Sequence, residues 1–498
     1  MKSSHKKNLI LFTPGFQNFQ GVGRGEVTKE KDKSGENIMQ YEEFLSDKKY
    51  TSQSAGFEIS KDKLNTKAFN WQKDIITWSL KKGKSSLFED CGLGKTLQQS
   101  EWGKQIHEAE KGDILILAPL AVSKQTKSEG EKFGIEINIC RTQDDVKPGI
   151  NITNYEMLEH FNPNKFIGVV LDESSILKSY DGRFRNLIID YFKDTPYKLA
   201  CTATPAPNDF MELGNHAEFM NVMSRSEMLA TFFTHDGGET SKWRLKGHAE
   251  EKFWEWVASW AVVLSNPADL GYYDEKYNLP PLNIQEHIVK SPQSPFSLLP
   301  DVAKTLSERR QARKESINER VDRASELANN SNEQWIVWCD LNQESEMLTK
   351  SIKDAVEVKG SDSNEHKEDS MLRFSNGDIR CLVTKPSIAG WGMNWQNCHN
   401  MSFVGLSDSY EAFYQSVRRC WRFGQEKEVN SHIIVSEREG AVKANIERKE
   451  ADSKRMFQEM IKHTKNILTQ EIRGTVRQSI DYNPQFEMIL PEWLGVGA

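Results

Sequence analysis

The sequence predicts an α/β protein with two parallel-sheet domains in tandem and a helical insertion between them. Three observations support this. Short β-rich apolar runs alternate with helical patterns from about residue 66 to 205. The same alternation resumes near residue 300. Between them, residues from about 210 to 275 are rich in Met, Phe and Trp and lose that rhythm. Strand–helix alternation favours parallel sheets, because parallel neighbours need a long crossover and a helix usually supplies it. At 498 residues the chain also exceeds what one hydrophobic core holds.

The predicted boundaries are 1–60 for an N-terminal tail and leader, 61–210 for the first α/β domain and 211–290 for the insertion and linker. The second α/β domain takes 291–440, and a C-terminal helix and tail take 441–498. Residues 1–38 read as a dispensable tail or as the product of an upstream start codon. GVGRGEVTKEKDKSGENI is Gly- and charge-rich, and Met39 opens a more structured stretch. The basic, briefly apolar start is too short for a signal sequence. In the first domain the strands are SSLFED, DILILAPL, NIC, ITNY, IGVVLDES and YKLACTAT, separated by helices such as WQKDIITWSLKK and TLQQSEWGKQIHEAEK. In KFWEWVASWAVV, Phe253, Trp254 and Val257 recur at helical spacing, so the insertion is expected to bury a small core of its own. Pro280 and Pro281 mark a linker. The second domain takes a long helical stretch and the strands QWIVWCD, AVEVKG, IRCLVTK, NMSFVGL and NSHIIVS. Residues 441–470 form a charged amphipathic helix.

Composition narrows the class. No apolar stretch is long enough to span a bilayer, so no membrane partner is expected. The seven cysteines form no C-x-x-C pair, which argues against a metal cluster and against disulfides, and a cytoplasmic location follows as the default. Net charge is -7, from 65 basic and 72 acidic residues. That total decides nothing about nucleic acid, because binding needs a local basic track.

Two motifs carry chemistry. In SSLFEDCGLGKTLQQSEW a strand runs through a glycine loop into a helix. Gly92 and Gly94, flanking Leu93, allow backbone N–H groups to turn around phosphate oxygens. Lys95 brings positive charge to them, and the Thr96 hydroxyl can ligate Mg²⁺. Glu89 stands where the longer phosphate-loop pattern has its first glycine. The second motif is VVLDESS, whose strand ends in Asp172 and Glu173. Downstream of a phosphate loop, Asp172 suits Mg²⁺ and Glu173 suits the attacking water.

With both motifs in order, the chain resembles superfamily 2 helicase-like ATPases of the DEAD/DEAH type, and specifically the Swi/Snf-like branch, over roughly residues 66–430. FNWQKDI resembles the adenine-recognising segment and implies that role for Gln72. LACTATPAPND is similar to the segment coupling hydrolysis to domain movement, which implies Thr202 and Thr204. AGWGMNW resembles the glycine segment at the domain cleft, with Gly392. QSVRRCWRFGQ reproduces the spacing of the branch's arginine segment, implying catalytic roles for Gln415, Arg419 and Arg422. The resemblance further implies nucleic-acid contacts at Asn154, Lys178, Lys385 and Trp395. It departs at Ser175, where the family usually carries His, and at Pro386, where a hydroxyl is common.

The resemblance implies two RecA-like domains, ATP and Mg²⁺ as cofactors, and a DNA-dependent ATPase that moves along double-stranded or branched DNA. The short forms of this branch in phages and prophages suggest replication, recombination or branch migration. Two other readings stay open. One is a strand-separating helicase on DNA or RNA. The other is an ATP-gated subunit of a restriction or defence complex, meeting a protein partner through the insertion or the C-terminal helix. Lys242, Arg244, Lys246 and His248 around Trp243 offer the insertion a phosphate grip or a solvated loop.

Overall fold

The computed structural model describes residues 52–119, 122–178, 182–206, 209–236, 239–290, 306–389, 393–405 and 409–473. The expectations for residues 1–51, for the tail beyond 473 and for Gly392 lie outside them.

Two parallel sheets stand in tandem, each covered by helices on both faces. In the first lobe β1 (Lys84–Glu89), β2 (Asp113–Ala118), β3 (Ile137–Ile139), β4 (Ile150–Asn154), β5 (Phe166–Asp172) and β6 (Tyr197–Thr202) form the sheet predicted from the sequence. The side-chain period of two divides its core cleanly. Leu115 and Leu117 enter one cluster with Val169 and Leu171, while Ile114 and Ile116 enter the opposite one with Val170 and Leu199.

The insertion departs from expectation. It begins with helices Leu213–Phe219 and Arg225–Phe232, then forms an antiparallel hairpin of β7 (Phe233–Asp236) and β8 (Glu239–Leu245). Helix Glu250–Ala258 follows and leads into β9 (Ala261–Leu264), which pairs in parallel with β1. The first sheet therefore runs β3-β4-β2-β5-β6-β1-β9. Among the described residues no separate insertion core forms. Phe253, Trp254, Trp256 and Trp260 join Phe88 and Leu115 in the first lobe's cluster, because β9 carries the helix ahead of it onto the sheet face.

The expected linker is also partly strand. β10 (Leu282–Val289) is the edge of the second sheet. With β11 (Trp335–Cys339), β12 (Ala355–Val358), β13 (Cys381–Thr384), β14 (Asn400–Val404) and β15 (Val429–Ser436) it gives the order β10-β15-β14-β11-β13-β12, parallel throughout. The long helical stretch before β11 is two helices, Leu306–Glu315 and Ile317–Asn329.

Helix Gly440–Arg473 leaves the second lobe after β15 and returns to the first. Met460 enters one first-lobe cluster and Leu468 the other, and His463 stacks on Trp254 with ring centroids 5.7 Å apart. Met460 and Leu468 of this helix and Phe253, Trp254, Trp256 and Trp260 of the insertion are thus buried within the first lobe. All seven cysteines are free and buried. Among the described residues no helix is long and apolar enough to cross a membrane.

Candidate active site

The glycine loop 90–94 joins β1 to helix Lys95–Glu110. Gly92 and Gly94 have φ of 87° and 81°, the left-handed region that a side chain disfavours. Space excludes other residues as well. A Cβ on Gly92 would stand 2.8 Å from Phe423 N, and one on Gly94 2.5 Å from Gln72 Nε2. Gln72 works at both ends of its amide. Its Oε1 accepts from Phe69 N at 3.0 Å and caps its own helix, Asn70–Lys82. Its Nε2 donates to the Leu93 carbonyl at 3.0 Å. Lys95 Nζ donates to the carbonyls of Glu89 (2.7 Å) and Asp90 (3.0 Å), so it lies folded on the loop, and Thr96 is half-buried in the helix's first turn.

Glu89, at the missing glycine position, does not obstruct the loop. Its carboxylate is fully buried and accepts from Gln98 Nε2 at 2.7 Å. Burial pushes it up to about 7, against the pull of Lys95 and Gln98.

The acid pair ends β5, with β6 between it and β1. Asp172 is buried, and burial with the neighbouring Glu173 charge raises its carboxyl to about 7, opposed by the Lys95 charge. Glu173 is half-buried and has φ of 56°, uncommon for a residue with a side chain. Its Oε2 is buried without a hydrogen-bond partner among the described residues. It borders a cavity of about 510 Å³ between the lobes, together with Tyr155, Ser175, Lys178, Lys367 and Ser387.

The second lobe closes on this loop. Helix Tyr410–Val417 and the turn after it deliver the arginine segment. Gln415 is buried, with Oε1 accepting from Arg419 Nη2 at 2.8 Å and lying 3.8 Å from Cys91 Sγ. Arg419 is tied further to the carbonyls of Gln415 (2.9 Å) and Met393 (3.0 Å). Among the described residues the Arg422 side chain makes one hydrogen bond, to Met393 O at 3.3 Å, and its Nε is a buried donor without a partner. Burial and the Arg419 charge lower it to about 10. Gln415 Nε2 is likewise buried without a partner among the described residues.

Several residues of the closed cleft escaped the sequence reading. Arg418 pairs with Asp90 at 2.8 Å and donates to the Cys91 carbonyl at 2.8 Å, while Tyr414 OH donates to Asp90 at 2.5 Å. Phe423 stacks on Tyr277, whose hydroxyl accepts from Trp71 Nε1. Glu411 accepts from Thr204 Oγ1 at 3.3 Å and pairs with Lys178. Thr202 Oγ1 accepts from Thr204 N at 3.1 Å, so both expected coupling threonines share one turn that touches the second lobe.

The residues expected to contact nucleic acid scatter. Asn154 is half-buried at the end of β4, and Lys385 lines a separate second-lobe cavity of about 330 Å³. Lys178 is engaged by Glu411. Trp395 corrects the expectation outright. It is fully buried, packed edge-on against Phe374 and near Trp338, and has no face for a base or phosphate. Trp395→Ala is therefore expected to cost about 3–5 kcal/mol of folding stability. Denaturant unfolding checks this, and nucleic-acid affinity per folded molecule should not change. In the hairpin, Lys246 Nζ donates to the Ala230 and Thr231 carbonyls, whereas Arg244 and His248 are exposed.

A histidine reaches the acid pair's turn from outside the motif. His216, on helix Leu213–Phe219, is fully buried with Nε2 3.1 Å from Ser174 Oγ. Burial lowers it to about 4. An unfolded histidine titrates near 6.5, so between these values the unfolded chain binds a proton that the folded chain refuses. This group's contribution to stability is complete above about pH 6.5 and is lost toward pH 4, by up to about 3 kcal/mol. Melting curves of His216→Gln should show a shallower acid limb than the wild type.

Among solved structures, a Sulfolobus solfataricus SWI2/SNF2 ATPase core in complex with dsDNA aligns at 16% identity and a TM-score of 0.39, covering 85% of this chain and 100% of that one. No curated protein matches the sequence. Residues 319–424 match the helicase conserved C-terminal domain family. The second lobe is thus similar to helicase C-terminal domains over a range that includes Gln415, Arg419 and Arg422.

Proposed function

We propose that this chain is a nucleic-acid-dependent ATPase that moves along duplex DNA. The observation that carries the proposal is the closed cleft, in which the glycine loop meets the arginine segment of the other lobe while the acid pair ends a neighbouring strand of the same sheet. Buried donors at Gln415 Nε2 and Arg422 Nε, and the buried acceptor Glu173 Oε2, have no partners among the described residues. Two donors facing a phosphate loop fit an oxygen-rich anion such as a nucleoside triphosphate.

Gly92, Gly94 and Lys95 would hold the phosphates, and Gln72 would stand beside the base. Thr96 and Asp172 would hold Mg²⁺, which when bound neutralises phosphate charge. Glu173 takes the proton of the attacking water, and Arg422 stabilises charge developing on the transferred phosphoryl group. Thr204 and Lys178 meet Glu411 across the cleft, so opening after hydrolysis would separate these contacts and shift one lobe against the other along the DNA.

The test is steady-state ATP hydrolysis by the purified chain alone and with single-stranded, duplex and branched DNA. Duplex or branched DNA should stimulate turnover, and Lys95→Ala should abolish it. Because phosphate contacts dominate such binding, stimulation should weaken steeply with salt. Stimulation by single strands alone would replace this reading with a strand-separating helicase. No turnover on any DNA would point instead to a subunit that lacks its partner.

A further inference from the structure

We infer that Ser174 and the pair Asn215–His216 form a positioning device for Glu173, through which the inserted segment sets the competence of the hydrolysis site. This rests on the ATPase reading above.

The inference starts from the backbone. Glu173 holds φ of 56°, a conformation that residues with side chains rarely adopt, so the surrounding contacts must hold it there. Tyr155 of the first lobe donates to the Asp172 carbonyl at 2.7 Å, and the side-chain contacts to the turn after Glu173 come from the insertion. The turn Ser174–Lys178 follows Glu173 directly. At its start, Ser174 Oγ lies 3.1 Å from His216 Nε2, and both residues are fully buried. At its end, Asn215 Nδ2 donates to the Leu177 carbonyl at 2.8 Å and to that of Lys178 at 3.3 Å. Two consecutive residues of helix Leu213–Phe219 therefore grip the turn at both ends. The His216 ring also sits edge-on to Phe88, with centroids 5.1 Å apart, and Phe88 belongs to the strand that leads into the phosphate loop. One imidazole thus touches both motifs of the site without reaching the cleft.

The grip has a route outward in each direction. Lys178 pairs with Glu411 of the second lobe. On the other side, helix Leu213–Phe219 is followed by helix Arg225–Phe232 and the hairpin of β7 and β8, where Arg244 on β8 and His248 just after it are exposed. A load on the hairpin, or a shift of the second lobe, reaches the same five-residue turn. His216 touches no reacting atom in this arrangement, and its role is to fix where the Glu173 carboxylate points. Misplacing a catalytic group by about 1 Å can cost on the order of a hundredfold in rate without weakening substrate binding.

The experiment compares the full chain carrying Ser174→Ala, His216→Ala, His216→Gln and the double Ser174→Ala/His216→Ala change with wild type and Lys95→Ala. It reads kcat and KM for ATP with and without duplex DNA, affinity for a non-hydrolysable ATP analogue, and the melting temperature. Ser174→Ala and His216→Ala should each lower kcat at least about tenfold while analogue affinity stays within about twofold. The double variant should be no slower than the slower single one, because the two side chains act as one unit. His216→Gln, which keeps a polar atom toward Ser174, should recover most of the rate. If His216→Ala fails to fold, Ser174→Ala and His216→Gln decide the matter. The proposal is overturned if folded Ser174→Ala turns over at the wild-type rate, if kcat and analogue affinity fall together, or if the single losses multiply. A wild type without Lys95-dependent turnover would overturn the ATPase reading and this proposal together. Lys95-dependent turnover that ignores position 174 overturns this proposal alone.

Discussion

Arg422→Ala is expected to lower ATP turnover by about 10³-fold or more while nucleotide affinity changes only a few-fold. Of the three arginines of QSVRRCWRFGQ, Arg419 and Arg422 look equivalent in sequence, three positions apart on one helical face, but the structure separates them. Arg419 uses Nε, Nη1 and Nη2 to tie down Gln415 and Met393, which makes it a strut for the segment. Arg422 has a single long hydrogen bond, and its Cβ lies 3.4 Å from where a side chain on Gly92 would begin. A half-buried guanidinium whose Nε has no partner among the described residues, next to the glycine loop and crowded by a second arginine, gains most when negative charge develops beside it. Ground-state binding through the loop, Lys95 and Gln72 does not depend on it. Arg419→Ala should instead show its main effect in unfolding, by roughly 1–3 kcal/mol from the carbonyls and amide left unsatisfied. Turnover and analogue binding measured on both variants separate the roles. A normal rate for Arg422→Ala beside a dead, well-folded Arg419→Ala would exchange them.

The strands were legible wherever period-two burial acts alone. DILILA places Ile114 and Ile116 on one face and Leu115 and Leu117 on the other, as a doubly covered parallel strand requires. The same reasoning misses AVVL in β9, because the apolar run of KFWEWVASWAVV continues a helical pattern into it and only pairing with β1 shows the change of period. β10 hides behind Pro280 and Pro281, and its edge position leaves Ile284 and Ile288 exposed instead of marking a buried run. At the site, the loop and the acid pair were readable because each is local in sequence. Asp90 with Tyr414, 324 residues apart, and Ser174 with His216 are side-chain meetings fixed by tertiary packing, and no spacing rule encodes them. Trp395 misled for the converse reason. Its neighbours in AGWGMNW resemble a cleft segment, while the indole itself turns into the second core.

Glu173→Gln should give a protein that binds ATP normally and hydrolyses it about 10²–10⁴-fold more slowly, the span that a positioned general base supplies. The change keeps the shape of the side chain, so the left-handed backbone at 173 and the Ser174–Lys178 turn have no reason to move. What it removes is the ability to accept a proton. Asp172→Asn should behave differently, because Asp172 is the buried member of the pair and its expected task is Mg²⁺. Loss of that carboxylate should raise the Mg²⁺ concentration needed for half-maximal turnover, whereas Glu173→Gln leaves that concentration unchanged. If hydrolysis ends the ATP-bound state, Glu173→Gln with ATP should also hold DNA in whichever manner the wild type does with a non-hydrolysable analogue. Paired measurements of turnover, Mg²⁺ dependence and ATP-dependent DNA retention test the assignment at three points. A Glu173→Gln protein that turns over at the wild-type rate would move the water-activating role elsewhere, and Asp172, the adjacent carboxylate at the end of β5, would be the first residue to test.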